Sequence, residues 1–410
     1  MSAASHSPRL PCLPYAGIRV VDMSQGIAGP SCGSLLARQG ADVIKIEPPN
    51  GDWGRLMGRG ENGLTAISIG TNAGKRALCV DASGPQGQAL LRRLIDGADV
   101  LLDSFRPGVM ASLGLGYEAL AARNPGLVHL SITGYGSSGP YREKPGSDSV
   151  LQALSGMMAM NAGEDGAPRR IGMLMIDAAS GVYAAQSVGA ALVGRSVTGQ
   201  GARVEVSLLE VAASLQTIPI LDHYMGRGEP RVPVTVPSGT FATLDGFINV
   251  VTLRNEMFFR LGNAVGHPEW TTRKAWSTNE KRLKHAVAIN AEIRAALATR
   301  ETAYWVERLA AHDVLCAAVN GYEDFVEDEQ VRHAGVFRWW QAGSDSGAPL
   351  PVAGVPGVPG GGELGRVPRH AEHSREVLRD WCIPEAEIEA LLAQGVVQQA
   401  ECTTAQHERV

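Results

Sequence analysis

Short apolar runs recur along the first third of the chain, and amphipathic segments separate them. The runs predict β-strands at 17–24, 41–47, 76–81, 98–105 and 127–135. The segments between them predict helices at 29–40, 85–97 and 117–125, the first with Pro30 in its first turn and Gly40 at its end. Because strands and helices alternate, the pattern predicts a parallel sheet covered by helices on both faces.

From residue 198 onward the sequence pattern differs, with prolines and glycines between the periodic segments. The predicted features are a turn, strand and helix start at 198–216, a linker at 226–239, a hairpin at 240–253 around Asp245-Gly246, amphipathic helices at 279–312, a surface loop at 343–365 and two short helices at 376–397. We therefore expect a large α/β domain with a Rossmann-like parallel sheet, built from residues 1–225 and 336–410. A smaller α+β domain is expected at 226–335.

The segments that follow the predicted strands resemble one another. They read "SQGIAGP", "EPPNGD", "SFRPG" and "GYGSSGP", and all are rich in glycine, proline and small polar residues. Each one alone is typical of a tight turn, but together they lie where open α/β sheets bind ligands. None of them has the P-loop spacing, so the fingerprint of an ordinary nucleotide-triphosphate site is missing.

Composition narrows the functional classes. The chain has 410 residues, 44% of them hydrophobic, and a net charge of −5, which argues against broad nucleic-acid or membrane-surface binding. The prolines near the N-terminus do not fit a signal peptide, and the longest uncharged stretch lacks bulky apolar residues. Six scattered cysteines without a CxxC pair indicate reduced thiols rather than a zinc site. We expect a cytoplasmic protein that uses no metal.

One acidic residue is isolated in an otherwise uncharged stretch. Asp177 is the only charged residue between Arg170 and Arg195 in "RRIGMLMIDAASGVYAAQSVGAALVGR". The pattern predicts a short buried strand or extended segment over "RIGMLMI" and a small-residue helix after it, so spacing alone favours a helix cap for Asp177. The same position suits catalysis, because a helix N-terminus stabilises a carboxylate that attacks an electrophile.

Other chemistry-bearing residues give weaker signals. No HExxH motif is present, and His370 and His373 lie in a polar segment. Lys75-Arg76 before a strand and Arg106 after one are candidate phosphate ligands, although ordinary surface charge explains each of them alone. Arg169 and Arg170 are candidates to pair with an acceptor's second carboxylate, and surface charge is again the favoured interpretation.

Taken in order, the motifs resemble those of the family III CoA-transferases, which include formyl-CoA transferase and carnitine CoA-transferase. The resemblance covers nearly the whole chain and rests on the blocks "LPYAGIRVVDMSQGIAGPSCGSLLARQGADVIKIEPPNGDWGR", "NAGKRALCVD", "LLDSFRPGVMASLGLGYEAL", "ITGYGSSGPY", "PGSDSVLQALSG", "VGRSVTGQGARVEVSLLE", "PSGTFATLDGFINV" and "RHAEHSREVL". It implies that Asp177 is the catalytic nucleophile and forms an aspartyl-CoA thioester. It also implies that CoA moves from an acyl-CoA, such as succinyl-CoA, to a small carboxylic or dicarboxylic acid.

The resemblance further implies CoA contacts at the loops singled out above, with no cofactor beyond CoA itself. The implied cofactor-binding residues are Ile27, Ala28, Val80, Ser83, Ser104, Phe105, Arg106, Ile132, Thr133, Gly134 and Tyr135, and Lys75 and Arg76 are candidates for the phosphates. The chain lacks a glutamine found at the Ile27 position of formyl-CoA transferase and arginines found at the Pro48 and Ser112 positions. These departures argue against formyl-CoA and oxalate specificity.

The family fold implies an interlaced homodimer, with neither nucleic acid nor membrane as a partner. One alternative is an α-methylacyl-CoA racemase-like isomerase, which shares the fold and the aspartate but uses a histidine base where this chain has Ser147. The other alternative is a non-catalytic acyl-CoA binding protein, for which the presence of Asp177 is unexpected.

Overall fold

The structure is a computed structural model that describes residues 13–61, 64–163, 165–227, 233–341, 348–358, 361–362 and 364–400. The chain divides into two compact units. The first contains the chain up to Thr217 and again from Ala334 onward, and the second is Ile218–His333. No helix among the described residues is both long and apolar enough to cross a bilayer.

The secondary structure alternates over the first half of the chain. The strands are β1 (Arg19–Asp22), β2 (Asp42–Glu47), β3 (Gly60–Glu61), β4 (Leu64–Thr65), β5 (Arg76–Val80), β6 (Val100–Asp103), β7 (Val128–Thr133), β8 (Ala202–Ser207), β9 (Ser238–Ala242), β10 (Phe247–Val251), β11 (Leu315–Ala318), β12 (Phe337–Trp340), β13 (Leu350–Ala353) and β14 (Val397–Gln398). The α-helices are α1 (Ala28–Ala37), α2 (Ala66–Asn72), α3 (Pro85–Asp96), α4 (Val109–Ser112), α5 (Tyr117–Arg123), α6 (Asp148–Leu154), α7 (Met157–Met160), α8 (Met175–Thr198), α9 (Leu208–Leu215), α10 (Thr217–Met225), α11 (Asn255–Val265), α12 (Asn279–Lys284), α13 (Ala286–Leu297), α14 (Thr302–Ala311), α15 (Tyr322–Glu327), α16 (Glu329–Ala334), α17 (Ser374–Asp380) and α18 (Glu385–Ala393). Short 3₁₀ helices cover Trp53–Arg55, Pro268–Thr271 and Lys274–Trp276.

A seven-stranded sheet forms the centre of the first unit. Its order is β14-β5-β2-β1-β6-β7-β8, and every pair except β14 with β5 is parallel. The six parallel strands therefore follow the doubly wound order in which the chain reverses direction beside the first strand. At that reversal the loops after β1 and β6 lie side by side, because β1 pairs with both β2 and β6.

Helices cover both faces of this sheet, which explains why β1, β2, β5 and β6 are buried along most of their length. On one face α3, α17 and α18 pack against the sheet around Leu91, Val377 and Ile388. On the other face α1, α8 and α9 pack around Leu36 and Val188. The predicted alternation, parallel pairing and two-sided cover are confirmed, and the C-terminal helices belong to the same core as the N-terminal strands.

Three local predictions differ from the structure. The run at 170–176 does not form the strand expected before Asp177, since Met173 and Leu174 are exposed and α8 begins at Met175. The glycine- and proline-rich segment contains β13, which pairs with β12. The C-terminal segment adds β14 beside β5, so one edge of the parallel sheet is antiparallel.

The second unit is built on a three-stranded antiparallel sheet, in the order β11-β10-β9. The predicted hairpin around Asp245-Gly246 is confirmed as the β9–β10 turn, in which the Thr243 N–H donates to the Gly246 carbonyl at 2.9 Å. The predicted helices at 279–312 are α12, α13 and α14. One face of the sheet is covered by a core in which the rings of Phe258 and Trp270 stack 5.1 Å apart.

Candidate active site

A cavity of about 320 Å³ lies at the carboxyl ends of β1, β6 and β7, within the first unit. This is the edge of the sheet at which open α/β folds bind ligands. Its lining combines glycine- and proline-rich loops with a small set of charged side chains. The lining residues are Gln25, Ile27, Ala28, Gly29, Trp53, Ser104, Phe105, Arg106, Pro107, Ile132, Thr133, Gly134, Arg142, Lys144, Pro145, Gly146, Ser147, Asp177 and Leu208.

Asp177 is the only acidic side chain in this lining, and it lies in the first turn of α8. The helix begins at Met175, so Asp177 is not the N-cap that its spacing favoured. The N-cap residue is Leu174, whose side chain cannot accept a hydrogen bond. The carboxylate of Asp177 is therefore not used to cap its own helix.

Asp148 caps α8 from another helix. Its buried carboxylate Oδ2 accepts hydrogen bonds from the backbone N–H of Ile176 at 2.7 Å and of Asp177 at 3.1 Å. The other carboxylate oxygen accepts from Nε2 of Gln152 at 2.6 Å. An anion is favourable at the amino end of a helix, where N–H groups have no intrahelical acceptor. Asp148 thus fixes the backbone from which the Asp177 side chain extends.

The environment of Asp177 perturbs its acidity. Burial, together with the negative charge of Asp148, raises the pKa of Asp177 to about 6. At neutral pH the group is still mostly ionised, but it is more basic than an ordinary aspartate. A partly desolvated carboxylate beside a cavity is suited to nucleophilic attack on a thioester carbonyl.

A glycine sets the distance between α8 and α1. A β-carbon at Gly181 would lie 2.6 Å from Cβ of Ser31 and 3.1 Å from the carbonyl oxygen of Ala28. The absence of a side chain lets the first turn of α1 approach α8 one turn after Asp177. This contact brings the loop that contains Ile27 and Ala28 to the same cavity as the carboxylate.

Buried charges hold that first loop in place. The carboxylate Oδ1 of Asp52 accepts from the backbone N–H of Gly26 at 2.9 Å and of Gly54 at 2.8 Å. Its other oxygen lies 2.9 Å from Nζ of Lys45, which also donates to the carbonyl of Ser24. Because both charged groups are buried and paired, the loop is fixed by groups that do not contact the cavity.

The loop after β6 is fixed in a similar way. Asp103 accepts from the Phe105 N–H at 3.1 Å, and its Oδ2 lies 2.6 Å from Oγ of Ser131 and 2.7 Å from Nε2 of His129. The two loops are also linked directly, because the Gln25 N–H donates to Oγ of Ser104 at 2.9 Å. The cavity walls are therefore connected by hydrogen bonds across two neighbouring strands.

The structure brings most of the residues predicted for the site together. Those in the cavity lining are Asp177, Ile27, Ala28, Ser104, Phe105, Arg106, Ile132, Thr133 and Gly134. Val80, Ser83 and Tyr135 are not in it. Tyr135 packs edge-on against Tyr141, with ring centroids 5.6 Å apart.

Lys75 and Arg76 do not line the cavity. Their ion pairs argue against the predicted phosphate contacts. The ammonium group of Lys75 is buried 2.7 Å from Oδ2 of Asp22 and also donates to the Pro30 carbonyl at 2.8 Å. Arg76 is engaged by three carboxylates, including Asp42 at 2.9 Å. Both cations are already neutralised by partners that the sequence pattern did not indicate.

Sequence reasoning missed Asp148 and the two cations of the lining, Arg142 and Lys144. Asp148 follows Ser147 in the "PGSDSVLQ" block, in which the serine was the residue compared with the histidine base of the racemases. Its role depends on a contact with α8 that no local pattern encodes. Arg142 and Lys144 belong to the segment that follows the fourth glycine-rich loop, so the signal was present as two positive charges beside a predicted ligand-binding edge.

Comparisons with known proteins show the family of the chain. The family model described as CoA-transferase family III matches residues 15–371. Succinate–glutarate CoA-transferase of Agrobacterium fabrum is 33% identical, over 79% of this chain and 84% of its own length. Succinyl-CoA–D-citramalate CoA-transferase of Chloroflexus aurantiacus is 36% identical, over 69% of this chain and 73% of its own.

Solved structures with a similar fold were found as well. The crystal structure of Rv3272 from M. tuberculosis has a TM-score of 0.80 at 30% identity, and covers 89% of this chain and 99% of that one. A CAIB/BAIF family protein from Brucella suis has a TM-score of 0.77 at 26% identity, with 90% and 100% covered. The predicted α/β architecture is thus shared with proteins of this group.

Proposed function

The chain belongs to CoA-transferase family III, and on that premise we propose that it moves CoA from succinyl-CoA to a small dicarboxylic or other carboxylic acid. The observation that carries the proposal is the ionisable carboxylate of Asp177 in a cavity at the carboxyl ends of the central strands. Relatives that act on succinate, glutarate and D-citramalate support the choice of small diacids.

The proposed reaction has two symmetrical halves. The Asp177 carboxylate attacks the thioester carbonyl of the donor, and the C–S bond breaks to give an aspartyl mixed anhydride and CoA thiolate. The thiolate then attacks the aspartyl carbonyl, giving an aspartyl-CoA thioester and releasing the donor acid with one oxygen from Asp177. An acceptor carboxylate reverses these steps and leaves one of its own oxygens on Asp177.

The chain's own groups have separate tasks in this scheme. Asp148 holds the first turn of α8, so the nucleophile starts from a fixed backbone. The raised pKa of Asp177 makes it a better nucleophile than an ordinary carboxylate while leaving it ionised at neutral pH. Because every step exchanges activated acyl groups of similar energy, the proposal needs no cofactor other than CoA.

The loops that the family resemblance assigned to CoA are the walls of the same cavity. Ile27 and Ala28 form one wall, and residues 104–106 and 132–134 form the others. We assign the thioester end of CoA to this space, because only that end must reach Asp177. Lys75 and Arg76 are excluded from the assignment by their ion pairs.

The proposal includes a homodimer located in the cytoplasm. The dimer is supported by exposed apolar surface in the second unit, where Ile218, Tyr224 and Met225 are 80%, 77% and 81% exposed. A cluster of this kind on a soluble protein marks a surface that a partner covers. The interlaced arrangement of the subunits stays a prediction of the family resemblance.

The test is a transfer assay with a panel of acids. Succinyl-CoA is mixed with enzyme and with acetate, malate, glutarate or citramalate, and new CoA esters are separated and quantified. Asp177→Asn is expected to abolish transfer. Asp165→Asn, which neutralises a carboxylate that is 58% exposed, is the matched control and is expected to keep it. Transfer by Asp177→Asn at the wild-type rate would overturn the proposal.

A further inference from the structure

We propose that Lys144 binds the free carboxylate of a dicarboxylic substrate while the other end of that substrate reacts at Asp177. This inference rests on the proposed function and deepens it. It assigns the preference for diacids to the side chain of Lys144. It also gives this side chain a different role from that of the groups that bind CoA.

The charges that line the cavity favour an anionic substrate. Three cations, Arg106, Arg142 and Lys144, face it together with a single acid, Asp177. Because the nucleophile's own charge repels a second carboxylate, a diacid needs a cation that places its far end away from Asp177. A substrate with an apolar tail gains nothing from such a group.

Lys144 is held in place without being neutralised. Its Nζ lies 3.5 Å from the centroid of the Tyr141 ring, and Tyr141 packs edge-on against Tyr135. Among the described residues no carboxylate pairs with this ammonium group. Arg142 differs, because its Nε donates to Glu143 at 2.8 Å. Lys144 is therefore an exposed cation at the cavity that stacks on an aromatic ring and has donors available to an anion.

Two contacts bring the Lys144 segment close to the nucleophile. Gly134 and Gly146 touch backbone to backbone, since a β-carbon at Gly146 would lie 3.0 Å from Cα of Gly134. Asp148 then binds the backbone N–H of Asp177. Lys144 is four residues before Asp148, which limits their separation to about 14 Å of extended chain. Lys144 is thus linked to the nucleophile by four residues of chain and one hydrogen bond.

The size of the cavity distinguishes a carboxylate from a CoA phosphate. A space of about 320 Å³ accommodates a small acid and the thioester end of CoA, but not the whole of CoA. The phosphates are separated from the thioester by the full pantetheine arm. The far carboxylate of a diacid is only a few bonds from the thioester, within the same space as Lys144.

The experiment compares succinyl-CoA with butyryl-CoA, which differ only in a terminal carboxylate against a methyl group. Both carry the same CoA, so contacts to the phosphates cancel in the ratio of their kcat/KM values. Wild type is expected to prefer succinyl-CoA. Lys144→Met is expected to lower that preference by about tenfold or more and to leave butyryl-CoA nearly unchanged. Lys144→Arg should restore part of the preference.

Lys284→Met removes a lysine from the second unit and serves as the matched control, with no expected change in the ratio. A parallel loss for both thioesters in Lys144→Met would assign the residue to CoA phosphate and overturn the inference. An unchanged ratio would overturn it as well.

If wild type transfers CoA from neither thioester, the proposed function fails. The inference is then judged on equilibrium binding of the same two thioesters to the same variants. A loss of succinyl-CoA affinity alone in Lys144→Met would support the carboxylate site, and equal affinities would refute it.

Discussion

The Oδ2 atom of Asp148 lies 3.1 Å from the backbone nitrogen of Asp177. Two acidic residues are thus joined through a main-chain hydrogen bond rather than through their side chains. Asp148 stabilises the amino end of α8, and its charge also makes the ionised form of Asp177 less favourable. The same residue therefore fixes the position of the nucleophile and tunes its acidity.

Asp148→Asn tests both effects. Loss of the negative charge removes one cause of the raised pKa, so the pH midpoint for attack by Asp177 should move below about 6. The helix also loses a charged acceptor, which should lower the free energy of unfolding by about 1–3 kcal/mol. The measurement is the pre-steady-state rate of CoA-adduct formation between pH 4.5 and 8, with Asp165→Asn as the control. A midpoint that stays at the wild-type value would contradict the role given to Asp148.

Asp177→Asn should stabilise the protein while it abolishes activity. The pKa of Asp177 is raised in the folded protein to about 6 from an ordinary value of 3.8, so ionisation opposes folding. The stability that comes from the protonated group is complete below the unfolded pKa and is lost as pH rises through the folded one. Asparagine does not ionise and avoids this loss. We therefore expect Asp177→Asn to raise the free energy of unfolding by about 1–2 kcal/mol at pH 7.5, and we expect this gain to disappear near pH 4. Denaturant unfolding at the two pH values measures it, and an equal change at both would argue against burial as the cause.

Lys75 should prove structural rather than substrate-binding. Lys75→Met leaves the carboxylate of Asp22 buried without the cation that lies 2.7 Å away, and should cost about 3 kcal/mol of stability. The double variant Asp22→Asn/Lys75→Met removes both charges and should recover most of that loss. Chemical denaturation of the three proteins checks this. The view is wrong if the single variant is as stable as wild type but binds acyl-CoA weakly.

Two glycines of α8 should respond in opposite directions to alanine. Gly181→Ala places a methyl group 2.6 Å from Cβ of Ser31, and should destabilise the α1–α8 contact by about 1–3 kcal/mol. At Gly194 no atom lies within 4 Å of the added carbon, so Gly194→Ala should stabilise by up to about 1 kcal/mol through helix propensity. Thermal unfolding of both variants compares them directly. Equal effects would show that the close approach at Gly181 is not what limits the helix contact.

The sequence predicts the parallel sheet well because most of its strands are buried on both faces, and such strands are rich in apolar residues. Strand pairs formed by distant parts of the chain are harder to foresee. Val397–Gln398 becomes a strand only because the chain returns to the edge of β5. The short run before Asp177 is apolar as well, yet it forms no strand, because it has no neighbouring strand to pair with.

The same distinction applies to the candidate site. The glycine-rich loops of the lining were predicted because the ends of parallel strands share one edge of a sheet, and the individual residues in them came from the family resemblance. Lys75 was misassigned because its partner, Asp22, is far away in sequence and its burial has no local signature. Asp148 was missed for a similar reason, since its acceptor role is defined by the amino end of a helix that starts 27 residues later.

The central claim is that Asp177 carries CoA covalently, and intact-mass analysis tests it most directly. Enzyme is mixed with succinyl-CoA, quenched within milliseconds to seconds, weighed and digested. The account predicts an adduct of CoA size that maps to Asp177, disappears when glutarate is added and is absent from Asp177→Asn. If wild type forms no adduct but exchanges an α-proton of an acyl-CoA in deuterated water, the chemistry is that of a racemase. If it does neither while acyl-CoA still binds, the covalent account is wrong.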